Sequence, residues 1–176
     1  MYLISIYFDE NTEKILNSHI QHVAKATDNT FMLDNHVPPH ITVAAVETKR
    51  EDLLVTKIEE LIKHLQSDTV HFVSVGSFAS KVIYVQPVLN EYLHNMCAEI
   101  SQELSHMEET IPSPYYQPFS WLPHCTIAKQ LSKEQMQQAF AVLSNEFVSM
   151  NAKVTHIGIA KTNPHRDLQV WELKEV

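Results

Sequence analysis

The sequence predicts an α+β fold made of two similar lobes, with two antiparallel sheets backed by helices around a central cleft. The first observation is a short pattern that occurs twice, at 39–43 and at 123–127: proline, histidine, an apolar residue, threonine and a β-branched residue. The second is that the two glycines of the chain, Gly76 and Gly158, lie 36 and 34 residues after the histidines of these patterns. This spacing indicates an internal duplication within one domain.

Each half of the chain, roughly 1–78 and 79–176, has the same predicted order of strand, helix, motif strand, helix and strand. Apolar residues recur at helical spacing, and an asparagine suited to capping lies near the start of the first helix in each half. The predicted elements outside the motifs, including a closing strand, are strands at 2–8, 69–78, 82–86, 152–161 and 168–173 and helices at 11–26, 50–66, 89–106 and 132–147. Packing about a pseudo-twofold axis would make the motif strands neighbours.

The motif itself predicts where its polar side chains point. Side chains alternate between the faces of a strand, so His40 and Thr42 project to one side, and His124 and Thr126 do the same in the second copy. In a chain with eleven histidines and eight prolines, chance predicts about 0.03 Pro-His-x-Thr patterns. The two copies therefore indicate two imidazole and hydroxyl pairs, which the duplication would bring to one cleft.

The composition restricts the class of protein. A formal net charge of −8 with thirteen lysines and arginines argues against binding of long duplex nucleic acid, which needs a concentrated basic surface. Two cysteines without framework spacing fit a reducing compartment. The apolar stretch 1–7 is far too short to cross a membrane, and no later segment approaches the necessary length. We expect a monomeric, cytoplasmic protein with no membrane role.

Two imidazoles in one cleft are suited to phosphodiester chemistry. One imidazole takes the proton of the attacking oxygen, and the other protonates the leaving oxygen. Neighbouring hydroxyls donate hydrogen bonds to the non-bridging phosphate oxygens. This chemistry requires no metal ion, and we expect no cofactor. His36 and His40 have the spacing of a metal pair on a helix, but the two prolines between them forbid that helix.

The two motifs, half a chain apart in a duplicated strand and helix pattern, resemble those of the 2H phosphoesterase superfamily. This family includes the bacterial 2′-5′ RNA ligase-like proteins and cyclic nucleotide phosphodiesterases, and the resemblance covers essentially the whole chain. It implies a phosphoric diester hydrolase in which His40 and His124 are the acid and the base. It also implies that Thr42 and Thr126 hold the phosphate. The implied substrate is a nucleotide or a short RNA end with a 2′,3′-cyclic phosphate or a 2′-5′ linkage.

Six further residues are candidates for substrate binding. In family members a basic residue commonly follows the second motif, and Lys129 fits that place, as a phosphate ligand or as an ordinary surface lysine. Three aromatic residues in the loop before this motif form either a wall for base stacking or packing between the lobes. Two strand tyrosines, at corresponding positions in the two halves, reach the cleft or lie in the core. The candidates are Lys129, Tyr84, Tyr7, Phe119, Tyr116 and Trp121.

Two other functions stay open. One is a nucleotide- or RNA-end-binding module that has the same cleft and little turnover, although a binding protein has little need of two imidazoles. The other is a metal hydrolase, which EDTA would inactivate. His165 falls in a predicted hairpin loop, where the sequence assigns it no role.

Overall fold

The computed structural model describes residues 1–79, 81–162 and 165–175, and within them the predicted elements follow one another in the predicted order. Two short elements were not predicted, a helical turn after the first long helix and a strand before the second motif. The elements are β1 (Tyr2–Phe8), α1 (Glu10–Thr27), α2 (Phe31–Asp34), β2 (Ile41–Thr48), α3 (Glu51–Ile62), β3 (Asp68–Phe78), β4 (Val82–Pro87), α4 (Glu91–Ser105), β5 (Thr110–Pro112), β6 (Cys125–Lys129), α5 (Lys133–Glu146), β7 (Met150–Lys161) and β8 (Arg166–Glu172).

Side-chain caps fix where the long helices begin. Asp9 caps α1 by accepting from the backbone N–H of Thr12 at 3.1 Å, so this helix begins before Asn11, which was predicted near its start. Asn90 caps α4 as predicted. Ser132 begins α5 with a capping box in which its hydroxyl and the side chain of Gln135 each bind the other residue's backbone N–H. These caps satisfy N–H groups that have no partner within the helix.

The predicted α+β architecture with antiparallel sheets is confirmed, and the two sheets are joined. The strand order is β1-β2-β6-β4-β3-β7-β8; in addition, β5 pairs with β2 and β1 pairs with β7. The long strand β7 belongs to both sheets, because its first part pairs with β3 and its second part pairs with β1. On the other side, β2 and β6 meet through one residue pair.

The two halves of the chain exchange elements. The strand that follows the motif strand in each half, β3 or β7, pairs with the first strand of the other half, β4 or β1. The helices α1 and α5 pack together and contact the second-half strands β4 and β6. The helices α3 and α4 pack together, and α4 contacts the first-half strand β2. Because of this exchange, each sheet and its helices contain residues from both halves.

Apolar residues at helical spacing form the core between helices and sheets. In α1 the fully or nearly fully buried positions are Leu16, Ile20 and Val23, and in α3 they include Leu54 and Ile58. These positions recur every three or four residues and so lie on one face of each helix. No helix within the described part of the chain is long and apolar enough to span a membrane.

Candidate active site

The two motif strands meet at the pair Ile41 and Cys125, which are antiparallel partners and have no exposed surface. Extending this register by one residue in each direction sets His40 opposite Thr126 and Thr42 opposite His124. Since neighbouring residues of a strand point to opposite faces, all four polar side chains lie on the face away from the core. They line one cleft.

Both motif strands contain a β-bulge one residue after the threonine. The pairing of β1 with β2 shifts between Ile4 and Ser5, and the pairing of β4 with β6 shifts between Ile83 and Tyr84. In each case two residues of the motif strand face one residue of the neighbouring strand, which bends that strand locally. The bulge is therefore a feature that the two motif strands share.

The register corrects one sequence prediction. Ser5 in β1 and Tyr84 in β4 each lie between a motif threonine and one of the two glycines. Tyr84 therefore corresponds to Ser5, and the prediction that Tyr7 and Tyr84 occupy corresponding positions is wrong. The aromatic residues of the two strands are two positions out of step, because Tyr7 lies two residues beyond the position that the backbone pairing matches to Tyr84.

Each motif histidine is oriented by a carbonyl two residues before it. His40 Nδ1 lies 2.7 Å from the oxygen of Pro38, and His124 Nδ1 lies 2.8 Å from the oxygen of Leu122. A carbonyl oxygen only accepts hydrogen bonds, so Nδ1 carries the proton and Nε2 is the nitrogen that gains or loses one. The residue between each carbonyl and its histidine is Pro39 or Pro123. The fixed φ of proline restricts the backbone between the two hydrogen-bonding groups, which explains why the motif begins with proline.

Burial disfavours the protonated form of both histidines. Burial lowers the pKa of His40 to about 4, against the hydrogen bond to Pro38, which raises it. The positive charges of three neighbours, led by His165, also lower it. The pKa of His124 is lowered by burial, and its hydrogen bond to Leu122 opposes this shift. In the unliganded protein both rings are therefore more readily neutral than an exposed histidine.

The two histidines have different ring neighbours. The His124 ring has Phe78 edge-on at 4.8 Å and Tyr84 at 5.2 Å between centroids. The His40 ring has Tyr7 at 6.2 Å and His165 at 6.4 Å. Each histidine thus has a tyrosine beside it, but the second neighbour is the apolar Phe78 ring at His124 and the ionisable His165 ring at His40.

The motif threonines lie at the base of the cleft. The Thr42 hydroxyl is 3.2 Å from the hydroxyl of Ser5, and its backbone carbonyl accepts from the indole N–H of Trp121 at 3.1 Å. Thr42 is buried and Thr126 is partly exposed. The Thr42 hydroxyl also lies beside that of Tyr116, a further cleft residue. Hydroxyls so placed can donate to an anion held between the histidines.

Lys129 brings a positive charge to the same cleft. Its ammonium nitrogen lies 4.5 Å from the centre of the Phe31 ring, and burial lowers its pKa. Its charge reaches His40, because it contributes to the lowered pKa of that ring. Asn29 donates to the Lys129 carbonyl at 3.3 Å and ties this strand end to the segment before α2. A half-buried lysine that lines the same cleft as the two motif hydroxyls favours a bound phosphate.

A model of the 2′-5′ RNA ligase superfamily matches residues 13–166. The chain belongs to this superfamily. This confirms the 2H phosphoesterase resemblance, and membership supports a phosphodiester-acting, metal-independent enzyme in general. No curated protein matches the chain in sequence.

Three solved structures show the same fold at low sequence identity. A phosphoesterase has 16% identity and a TM-score of 0.64, with 98% of this chain and 97% of that chain covered. E. coli LigT complexed with 3′-AMP has 14% identity and a TM-score of 0.62, with the same coverage of 98% and 97%. LigT in its apo form has 17% identity and a TM-score of 0.58, covering 98% and 96%.

The structure brings six of the ten predicted site residues of this superfamily member to the cleft, namely His40, Thr42, His124, Thr126, Lys129 and Tyr116. The other four do not line it. Tyr7 donates its hydroxyl to Asp167 at 3.3 Å, and Tyr84 is buried against Gly76 and His124.

The two remaining aromatic residues of the loop also lie away from the cleft wall. Phe119 is 92% exposed and packs on His94 of α4, with 4.7 Å between ring centroids. Trp121 is buried and supports the motif strand through its bond to Thr42. The stacking wall therefore stays a prediction for these two residues, whose rings contact His94 and the Thr42 carbonyl in this structure.

Sequence reasoning missed several cleft residues. Phe31 and Asn35 come from the segment around α2, which is too short to show a helical pattern. His165 lies in the hairpin loop where no role was assigned, and only tertiary packing brings it beside His40. Among the described residues, no group of three or more His, Cys, Asp or Glu side chains could hold a metal ion. His36 is exposed and outside the cleft.

Proposed function

We propose that this protein hydrolyses a phosphodiester at a nucleotide or short RNA end, opening a 2′,3′-cyclic phosphate or cleaving a 2′-5′ linkage. The observation that supports this most is the arrangement of His40 and His124 on the two sides of one cleft. Both rings present Nε2 for proton transfer, since Nδ1 is bound to a carbonyl in each. Membership of the superfamily supports phosphodiester chemistry in general.

The spacing suits an in-line displacement at phosphorus. The two histidines are diagonal neighbours across an antiparallel pair, for which Cα atoms are about 7–8 Å apart. A phosphate fits between two side chains at that spacing, with the attacking and leaving oxygens directed at opposite rings. Thr42, Thr126 and Lys129 can then bind the non-bridging oxygens, where negative charge accumulates.

The step moves two protons and exchanges one bond at phosphorus. Water attacks the phosphorus and gives its proton to His40 Nε2 while the new P–O bond forms. The bond to the ribose oxygen breaks, and this oxygen takes a proton from His124 Nε2. We assign the base role to His40 because its lowered pKa keeps it neutral, whereas the acid must be protonated.

The chemistry of the cleft supports a small substrate. The Phe31 ring and the Asn35 amide line the cleft beside Lys129 and offer a surface for a base. E. coli LigT complexed with 3′-AMP holds a ligand of this class. The formal net charge of −8 disfavours a long duplex, since each bound phosphate needs a cation.

The test is hydrolysis of the four nucleoside 2′,3′-cyclic phosphates and of a 2′-5′-linked dinucleotide in the presence of EDTA. We expect turnover by the wild-type protein and by His71→Gln, a control whose histidine is exposed and bonded to Asn151. Binding of nucleoside monophosphates without turnover would overturn the proposal in favour of a binding module. Loss of all activity in EDTA would instead indicate a metal hydrolase.

A further inference from the structure

A third histidine stands at the cleft beside His40. His165 lies just before β8, its ring is stacked on His40 with 25° between the planes, and its side chain is 14% exposed. Its Nε2 is 3.2 Å from Oδ1 of Asp167 but lacks the alignment of a hydrogen bond. The contact is therefore an ion pair that exists when the ring is protonated. This histidine belongs to neither copy of the motif.

The carboxylate behind His165 is held in place. The Tyr7 hydroxyl donates to the same Asp167 oxygen at 3.3 Å. The pKa of Tyr7 is raised by burial and by the charge of Asp167, so its hydroxyl keeps the proton that it donates. The Tyr7 ring lies over Gly158, where a Cβ would be 3.1 Å from the ring. The Tyr7, Asp167 and His165 side chains thus form a connected wall on one side of His40.

In the part of the chain that the structure describes, no equivalent wall accompanies the other motif histidine. Phe78 packs on the His124 ring, and the residue of β7 that corresponds to Phe78, counted from the two glycines, is Ala160. Strand β8, which carries Asp167, pairs with the part of β7 that also pairs with β1. Among the described residues, the part of β3 that pairs with β4 has no further strand on its other side. The duplicated cleft is therefore asymmetric in charge, and the asymmetry comes from the last hairpin.

His40 and His124 occupy equivalent positions in the two motifs, yet one must act as the base and the other as the acid. The asymmetry in charge gives the two rings different surroundings. On the basis of the function proposed above, we propose that His165, paired with Asp167, is a positioning residue that opposes protonation of His40. His165 thereby adds to the effect of burial in favouring His40 as the base, and His124 is left as the acid. Positive charge on His165 acts on His40 through space and touches no reacting atom in this assignment.

Other ionisable groups also face His40 and contribute to its environment. Burial has the largest effect, and among the neighbouring charges His165 has a larger effect than His124 or Lys129. The ionisable groups around His40 come from three parts of the fold. They are Tyr7 in β1; Tyr116 and His124 before β6, with Lys129 at its end; and His165 and Asp167 in the last hairpin. The experiment must therefore change His165 alone.

The test is an NMR titration of the His40 imidazole in wild type, His165→Gln and His165→Lys, without substrate or phosphate. In His165→Gln we expect the His40 pKa to rise by about half a unit to one unit, because a charged ring whose centre lies 6.4 Å from that of His40 is removed. His165→Lys, which keeps a positive charge, should leave the titration near its wild-type position. His71→Gln serves as the control for loss of an exposed histidine.

The kinetic test separates positioning from a general structural effect. In His165→Gln the acid limb of the kcat/KM profile should move to higher pH with the His40 titration, while the alkaline limb stays in place. An unchanged His40 titration, or equal movement of both limbs, would overturn this proposal and leave the hydrolytic function standing. Absence of turnover in the wild-type protein would overturn the hydrolytic function itself, and the NMR titration would still measure the coupling of the two rings.

Discussion

Gly76 lies directly opposite Tyr84 in the pairing of β3 with β4, and the Tyr84 ring occupies the space that a side chain at Gly76 would need. A Cβ at this position would come within 2.5 Å of the ring. The same ring packs against His124. Because Gly76 has no side chain, the Tyr84 ring can occupy the position in which it packs against His124.

We expect Gly76→Ala to push the Tyr84 ring aside and disturb His124. The overpacking should lower the free energy of unfolding by about 1–3 kcal/mol and reduce kcat. Urea unfolding and steady-state kinetics measure the two effects. In a Tyr84→Ala background the same substitution should cost much less, because the clash is gone. Equal costs in both backgrounds would show that the ring is not what excludes a side chain at Gly76.

His40→Ala and His124→Ala should each lower kcat by roughly two to four orders of magnitude, the usual value of a positioned acid or base. Circular dichroism should show an unchanged fold, because neither ring belongs to the apolar core. The double variant should be little slower than either single variant if the rings act in one concerted step. A single variant with turnover near that of wild type would contradict proton transfer by that ring.

Lys129→Met should weaken substrate binding more than it slows the chemical step. A charged hydrogen bond is worth about 1.5–3 kcal/mol, which corresponds to roughly a tenfold or greater rise in KM. Lys129→Arg should recover part of the affinity, because it keeps the charge. Lys133→Met, at an exposed lysine in the first turn of α5, is the matched control. If both methionine variants behave alike, Lys129 does not bind the phosphate.

The sequence predicted the parts of the site that depend on local geometry. Alternation along a strand was enough to place His40 and Thr42 on one face, and the repeated motif was enough to make the two motif strands neighbours. The two tyrosines are a mismatch because residue type does not reveal backbone register: the position that corresponds to Tyr84 is Ser5, two residues before Tyr7. Phe31 and His165 reach the cleft through a short helix and a hairpin. Only tertiary packing decides their positions.

The lowered pKa of His40 predicts that the folded protein is less stable at acid pH. The unfolded chain takes up a proton near the ordinary value of 6.5, whereas the folded protein does so only near about 4. The unfolded state therefore binds more protons between these values, and the free energy of unfolding should fall as the pH drops from 6.5 to 4, by roughly 3 kcal/mol at most. Above pH 6.5 the full stability is present.

Urea unfolding at pH 7.5 and pH 4.5, in buffers without phosphate, measures this loss. His40→Gln should lose less stability between the two pH values than the wild type, because it has no imidazole to protonate. His71→Gln should lose as much as the wild type. A wild-type protein and a His40→Gln variant with the same acid dependence would show that His40 is not held neutral by the fold.

The pH–rate profile should be bell-shaped, because turnover needs one imidazole neutral and the other protonated at the same moment. In kcat/KM, which reports the free enzyme, activity should rise through the His40 pKa near about 4 and fall through the lowered pKa of His124. The optimum should therefore lie below pH 6.5. The kcat profile should lie at higher pH, since a bound phosphate anion favours the protonated imidazoles.

The apparent pKa values of the two limbs are properties of the interacting pair of histidines. Each limb is therefore assigned to a histidine by comparing the wild-type profile with those of the variants. The residual activity of His40→Ala should lack the acid limb, and that of His124→Ala should lack the alkaline limb. The profiles are measured in EDTA from pH 3.5 to 8.5 with a 2′,3′-cyclic nucleotide, in the range where the protein remains folded. A wild-type kcat/KM that rises steadily toward alkaline pH would indicate attack by hydroxide without a general acid. That result would leave only a binding role for one of the two histidines.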